Sequence, residues 1–254
     1  MNIALVTGAS SGLGREFVRQ IPRFCQHLDE IWVSARRTER LRELHKGCPV
    51  PIRIFDGDLR KDHVFDGIEQ ELKQKNAKIK ILVNAAGFGK MGRFDMILLK
   101  DQLGMIDLNC LALTKMIGIC LPYLTKGSRI INIASAAAFC PQPGFAVYAA
   151  GKAYVFRLSL ALREEFRSKG ILVTVVCPGP VDTEFFQTSG ELPGAFKSAF
   201  RADAKKVVKT ALKDAVKGKA VSVYGMPMKT AGFFCRLLPD VCLSFLMKWV
   251  NRIK

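Results

Sequence analysis

Apolar residues run almost without interruption through seven short stretches of this chain, at 2–7, 29–35, 51–55, 79–84, 128–133, 171–177 and 220–224. Such runs read as strands buried on both faces, and Ile171-Leu172-Val173-Thr174-Val175-Val176 is a clear case. Between them, near 13–25, 38–46, 61–76, 99–125, 146–169 and 203–217, the apolar positions recur with helical spacing. The alternation predicts repeated βαβ units. The expected fold is α/β, a Rossmann-type doubly wound parallel sheet of about seven strands with helices on both faces. No composition break, repeat or linker interrupts residues 1–254, so a single domain is expected. A loop-rich stretch from Pro178 to about Ala202 follows a strand end, where α/β folds place their ligands.

Two local patterns carry chemistry. Thr7-Gly8-Ala9-Ser10-Ser11-Gly12-Leu13-Gly14 follows the first strand and opens a helix. In that position Gly8 permits a tight turn, Gly12 a close backbone approach to a pyrophosphate, and Gly14 close helix–strand packing, while the helix N-terminus offers amides to phosphates. Tyr148 and Lys152 lie four residues apart in a predicted helix, so they share a face with Cβ atoms about 6 Å apart. A tyrosine hydroxyl titrates near 10. A fixed ammonium beside it favours the phenolate, which makes the pair a candidate general acid/base. A solvated helix face accounts for the same spacing equally simply.

The second strand ends at Ala35, followed by Arg36 and Arg37. A site for NAD would carry an acid here for the ribose 2′-hydroxyl, whereas guanidinium groups fork onto a 2′-phosphate. NADP(H) is therefore the expected cofactor, the competing reading being arginines that solvate a helix start. In Asp56-Gly57-Asp58-Leu59, Asp58 is a candidate acceptor for an adenine amino group, or else the N-cap of the helix from residue 61.

Composition narrows the picture. Of 254 residues, 49% are apolar, enough for a sizeable core. Eight cysteines are scattered singly and no C-x-x-C pair occurs, so reduced thiols in a cytoplasmic protein are expected. The three histidines have no ligand-like spacing, and no metal is expected. The chain opens almost directly on Ile3-Ala4-Leu5-Val6, without a basic leader or cleavage pattern, so no signal peptide is expected. The net charge is +17, and from Lys197 onward 13 Lys and Arg face 3 Asp and Glu. A basic face attracts phosphates, anionic lipid or nucleic acid. Nucleic acid is the weakest of these readings, because no helix-turn-helix, zinc-finger or RNP-type motif accompanies the charge.

Taken together, these residues resemble the short-chain dehydrogenase/reductase family of the classical type, over about residues 2–183. The family's TGxxxGxG turn stands as Thr7 to Gly14, its NNAG element as Asn84-Ala85-Ala86-Gly87, and its YxxxK motif as Tyr148 to Lys152. Its catalytic asparagine matches Asn109 and its catalytic serine Ser135. The PGxVxT element bordering the nicotinamide matches Pro178-Gly179-Pro180-Val181-Asp182-Thr183. The resemblance implies a catalytic set of Asn109, Ser135, Tyr148 and Lys152. It implies cofactor contacts from Gly8, Ser10, Ser11, Gly12, Leu13, Gly14, Arg36, Arg37, Asp58, Leu59, Asn84, Ala85, Gly87, Tyr148, Lys152, Pro178, Gly179, Val181 and Thr183. Hydride would pass between nicotinamide and a carbonyl carbon. Tyr148 would exchange the proton, Ser135 would hold the substrate oxygen, and Lys152 would lower the tyrosine pKa and bind the ribose. Asn109 would hold a water leading from Lys152 to solvent. Oligomers through the helices near 99–125 and 146–169 are implied as well.

One departure stands out. Family members acting on carrier-bound 3-oxoacyl chains end near a glycine-rich strand. This chain instead continues beyond Met226 with an apolar tail to residue 254, similar to a DltE-type C-terminus. Pro239, Arg236, Asp240 and Lys248 interrupt it as a membrane span. Three readings compete: the tail packs on its own domain or a second copy, lies on a membrane surface helped by Lys229, Arg236, Lys248, Arg252 and Lys254, or walls the substrate pocket. A substrate lid is expected over about 183–203, where Phe185, Phe186, Leu192, Phe196 and Phe200 suit a hydrophobic small molecule. Steroid-, retinoid- and acyl-like substrates lead, with a 3-oxoacyl thioester reductase or a non-catalytic NADP-binding or peripheral membrane protein as alternatives.

Overall fold

The computed structural model describes residues 1–185, 189, 201–235 and 237–251. Seven strands form one sheet: β1 (Asn2–Thr7), β2 (Glu30–Ala35), β3 (Ile52–Asp56), β4 (Lys78–Asn84), β5 (Leu124–Ile133), β6 (Leu172–Val176) and β7 (Val221–Ser222). Their order is β3-β2-β1-β4-β5-β6-β7, and all six pairings are parallel. The order reverses between β1 and β4, which opens a crevice beyond their C-terminal ends.

The unbroken apolar runs follow from burial on two faces. Side chains alternate across a strand, so Ile3 and Leu5 enter one core while Ala4 and Val6 enter the other. The first core is completed by α3 (Asp62–Gln74), α5 (Ala112–Cys120) and α6 (Ala146–Glu165), through Phe65, Ile68, Met116 and Val155. The second is completed by α1 (Gly12–Gln20) and α7 (Ala204–Val216), through Phe17, Val18, Val208 and Leu212. The remaining α-helices among the described residues are α2 (Thr38–Arg42), α4 (Leu99–Ile106), α8 (Met226–Phe234) and α9 (Asp240–Val250).

Several element boundaries are shorter than the pattern predicts. Helix α1 stops at Gln20 and tightens into a 3₁₀ turn at Ile21–Arg23, where Pro22 has no amide to continue the ladder. Pro122 ends the long fourth helical run in the same way. That run is also broken by a π-turn at Asp107–Leu111, in which the amide of Ala112 donates to the carbonyl of Asp107. Strand β7 shrinks to two residues.

A buried polar relay ties β4, β5 and α6 together. Asn84 Nδ2 donates to Asn132 Oδ1 at 2.9 Å, Asn132 Nδ2 donates to Ser159 Oγ at 2.9 Å, and Ser159 Oγ donates to the Val155 carbonyl at 2.6 Å. The relay fixes α6 on the sheet. Replacing Asn132 by Ala leaves the buried Asn84 Nδ2 without its acceptor and removes one of the two bonds of Ser159, and we expect a loss of about 1–3 kcal/mol of stability. Urea unfolding measures it; an unchanged midpoint would show the relay to be energetically idle.

Candidate functional site

The glycine turn is shaped by close approach. Gly8 has φ +67°, and a Cβ there would lie 2.7 Å from the Ala86 amide nitrogen. Gly12 has φ +52°, and a Cβ on Gly14 would collide with the Gly8 carbonyl oxygen. Thr7 holds the crevice at its root: its hydroxyl accepts from the amides of Ala85 at 3.1 Å and Ala86 at 3.2 Å. Ser11, at the N-cap of α1, makes no side-chain cap bond, and no acidic residue lies in the first turn. The turn therefore keeps room for a ligand backbone and a helix N-terminus suited to an anion, which fits a dinucleotide diphosphate.

Beyond β2, Arg36 is exposed and has no hydrogen-bond or ion-pair partner among the described residues. Arg37 is already engaged, with Glu184 at 2.8 Å and with Ser10 Oγ at 3.3 Å. Arg40, which sequence reasoning did not single out, joins the same carboxylate. Asp58 is not a helix cap, since α3 starts at Asp62 behind Lys61. Its carboxylate grips Arg60 instead, through the guanidinium and the backbone amide, and this holds its pKa down at about 2. The adenine-acceptor expectation for Asp58 thus meets a carboxylate already in use.

Tyr148 and Lys152 sit one turn apart on α6, 6% and 5% exposed. The Lys152 ammonium donates to the Ile133 carbonyl at 2.8 Å and lies 5.7 Å from the centre of the Tyr148 ring. Ser135 stands close enough to the Tyr148 hydroxyl to favour its phenolate, and its own hydroxyl accepts from the Ala137 amide at 3.1 Å. The three side chains meet where β5 ends. The protein's own groups do not by themselves make the phenol acidic. Burial pushes the Tyr148 hydroxyl up to about 12, only partly offset by Ser135, and burial pushes Lys152 down to about 8. Desolvation disfavours both charged forms and is the largest cause of each shift.

Two predicted residues are placed differently. Asn84 is turned into the buried relay and does not line the cavity. Asn109 lies in the π-turn, 1% exposed, and closes a pair of bonds with Phe88: its Oδ1 accepts from the amide at 3.0 Å and its Nδ2 donates to the carbonyl at 2.9 Å. It too is off the cavity wall, so the expected water relay is not built on an open Asn109 amide. Both Asn109 Oδ1 and Lys152 Nζ crowd Gly87, at 2.8 and 3.4 Å from where a Cβ would stand.

One cavity of about 2020 Å³ takes in the remaining predicted positions: Gly8, Ser10 to Gly14, Arg36, Arg37, Asp58, Leu59, Ala85, Gly87, Ser135, Tyr148, Lys152, Pro178, Gly179, Val181 and Thr183. Of the rest of its wall, Phe145 was not singled out from the sequence, whereas Phe185 belongs to the expected lid and the tail was expected here in one of three readings. Phe145 stacks on Tyr148 at 4.1 Å between ring centres, and Phe185 tilts against it at 5.5 Å. The tail supplies Met228, Phe245, Trp249 and Asn251. Met228 covers Gly179, Gly232 packs on Phe139, and Asn251 Nδ2 donates to the Pro143 carbonyl at 2.8 Å. Of the expected lid, Phe186, Leu192, Phe196 and Phe200 lie outside the described residues, as do Arg236, Arg252 and Lys254 of the tail.

Comparison with known proteins agrees with this geometry. Residues 2–193 match the family model described as short chain dehydrogenase. The chain is 34% identical over 190 residues to sulfoacetaldehyde reductase 2 of Chromohalobacter salexigens, covering 72% of this chain and 74% of that protein. It is 26% identical over 261 residues to the human (Homo sapiens) very-long-chain 3-oxoacyl-CoA reductase, covering 97% of this chain and 76% of that one. Among solved structures, a short-chain dehydrogenase from Sphingobium yanoikuyae in complex with NADPH superposes with a TM-score of 0.77 at 26% identity. That superposition covers 93% of this chain and 94% of the other.

The buried ammonium has a consequence for stability. The folded pKa of Lys152, about 8, lies below the ordinary value of 10.5. Between these values the unfolded chain binds more protons, so this residue's contribution grows more favourable as pH rises through 8. We expect wild type to gain stability relative to Lys152→Met between pH 7 and 9, read by urea unfolding at each pH. A pH-independent difference would place the Lys152 pKa outside that window.

Proposed function

The chain belongs to the short-chain dehydrogenase family, and on that premise we propose that it is an NADP(H)-dependent oxidoreductase interconverting a carbonyl and a secondary alcohol on an apolar small molecule. The observation that carries this reading is the meeting of Ser135, Tyr148 and Lys152 in the same cavity as the glycine turn. Preference for NADP(H) rests on Arg36, Arg37 and Arg40 beyond Ala35, the strand-end position where an NAD site would carry an acid. When bound, the nicotinamide supplies or accepts the hydride, and its oxidised ring adds positive charge beside the phenol.

The protein's own groups handle the oxygen and the proton. With a pKa of about 12, the Tyr148 hydroxyl stays protonated at neutral pH, which suits donation to the carbonyl oxygen during reduction. Ser135, which stands beside that hydroxyl, holds the substrate oxygen next to it. Lys152 uses one N–H on the Ile133 carbonyl and keeps two more donors for the cofactor's ribose. Asn109 acts at one remove, fixing Phe88 and the backbone next to Gly87.

Met91, Phe139, Phe145, Met228, Phe245 and Trp249 favour an apolar substrate, steroid-, retinoid- or acyl-like. A 3-oxoacyl thioester is the second reading, supported by the likeness that extends through the tail to the human acyl-CoA reductase. A panel of ketosteroids, retinoids and 3-oxoacyl thioesters with NADPH, followed by absorbance, tests the proposal. We expect turnover of at least one class and a loss of about 10²–10⁴-fold in Tyr148→Phe. Full activity in that variant would sink the tyrosine mechanism, and no turnover of any class would favour a non-catalytic NADP-binding protein.

Two apolar surfaces support partners. Leu99, Leu103 and Ile106 form an exposed stripe at helical spacing on α4, which suits a homo-oligomer. On α8 and α9, Phe233, Phe234, Val241, Phe245 and Trp249 are exposed beside Lys229 and Lys248, a composition suited to the surface of an anionic membrane on the cytoplasmic side. Flotation with phosphatidylglycerol vesicles should carry the full chain upward, and Phe233→Ser/Trp249→Ser should reduce it. Equal flotation of both proteins would remove the tail from membrane contact.

A further inference from the structure

The arginines beyond β2 are not all waiting for a ligand. Glu184, which follows Thr183 at the cavity rim, bonds Arg37 Nη1 through Oε2 at 2.8 Å and Arg40 Nη1 through Oε1 and Oε2 at 2.5 and 2.7 Å. Arg37 turns its other edge, Nε and Nη2, to Ser10 Oγ at 3.3 Å. Ser10, Arg37 and Glu184 all line the cavity that holds the glycine turn. A carboxylate held by two guanidinium groups satisfies the charge-assisted hydrogen bonding that a phosphate monoester would otherwise accept.

We propose that Glu184 is an internal anion occupying the 2′-phosphate position on Arg37 and Arg40, so that NADP(H) must displace it whereas NAD(H) need not. The proposal rests on the NADP(H) reading above and adds a specificity-determining residue to it. Arg36, which makes no hydrogen bond or ion pair among the described residues, is the cation first available to an incoming phosphate. The Glu184 contacts are partly open to solvent, with its side chain 33% exposed and those of Arg37 and Arg40 45% and 39% exposed. Such contacts are individually weak, and a phosphate carrying nearly two charges competes well for them. Glu184 therefore lowers affinity for the phosphorylated dinucleotide without excluding it, and narrows the preference that the arginines alone would impose.

Isothermal titration with NADP⁺ and NAD⁺ tests this on wild type, Glu184→Gln and Arg36→Ala. The glutamine variant keeps the size of the side chain and removes its charge. We expect it to bind NADP⁺ about fivefold tighter, the scale of an exposed ion pair, with NAD⁺ binding unchanged. The unchanged NAD⁺ affinity also reports an intact fold. Unaltered NADP⁺ binding overturns the proposal, and so does tightening of both dinucleotides together. Weaker NADP⁺ binding overturns it too, by making Glu184 a support for the arginines rather than a rival of the phosphate. If wild type shows no preference for NADP⁺ and Arg36→Ala changes nothing, the cofactor reading itself fails, and this proposal with it.

Discussion

The contact on which the site depends is the hydrogen bond from the buried Lys152 ammonium to the carbonyl of Ile133. An ammonium away from water is costly unless its donors are met. Here one donor meets the end of β5, and the remaining environment is protein interior and cavity. The arrangement demands that α6 sit at a fixed height on the sheet. The Asn84–Asn132–Ser159 relay secures that height from within, and close approaches at Gly87 and Gly151 leave room for the lysine and for Cys110 beside it. The displaced pKa values of Lys152 and Tyr148 share one cause, removal from water.

The two halves of the cavity are built on different terms. The dinucleotide side is steric. Its glycines stand where a Cβ would meet backbone, as at Gly8 against Ala86, and those contacts tolerate no adjustment. The substrate side is assembled from side chains on separate segments. Phe145 comes from the start of α6, Phe185 from the rim, and Met228 and Trp249 from the tail. Side chains repack where backbones do not, so substrate choice is the more adjustable property of this fold.

Much of the fold was legible because its signals are local. Ile3 and Leu5 against Ala4 and Val6 announce a strand buried on both faces. The turn from Thr7 to Gly14 and the Tyr148–Lys152 pair were legible for the same reason. What escaped is set by distant contacts. Nothing in Asp107-Leu108-Asn109-Cys110-Leu111 announces a π-turn, because no glycine or proline lies there. Asn84 and Gly87 are three residues apart, yet one faces the interior and the other the cavity. The Glu184 partners lie 147 and 144 positions away, beyond the reach of any spacing argument. The tail was recognisable as apolar, but its destination over Gly179 and Phe139 depends on the assembled site.

That destination bears on how the molecule comes into being. All seven strands precede residue 223, and α8 and α9 follow them. During translation the residues of the sheet and of the glycine turn therefore emerge before the tail residues that wall the cavity. The surface that Met228, Phe245 and Trp249 supply is thus added to a sheet whose seven strands have already been synthesised.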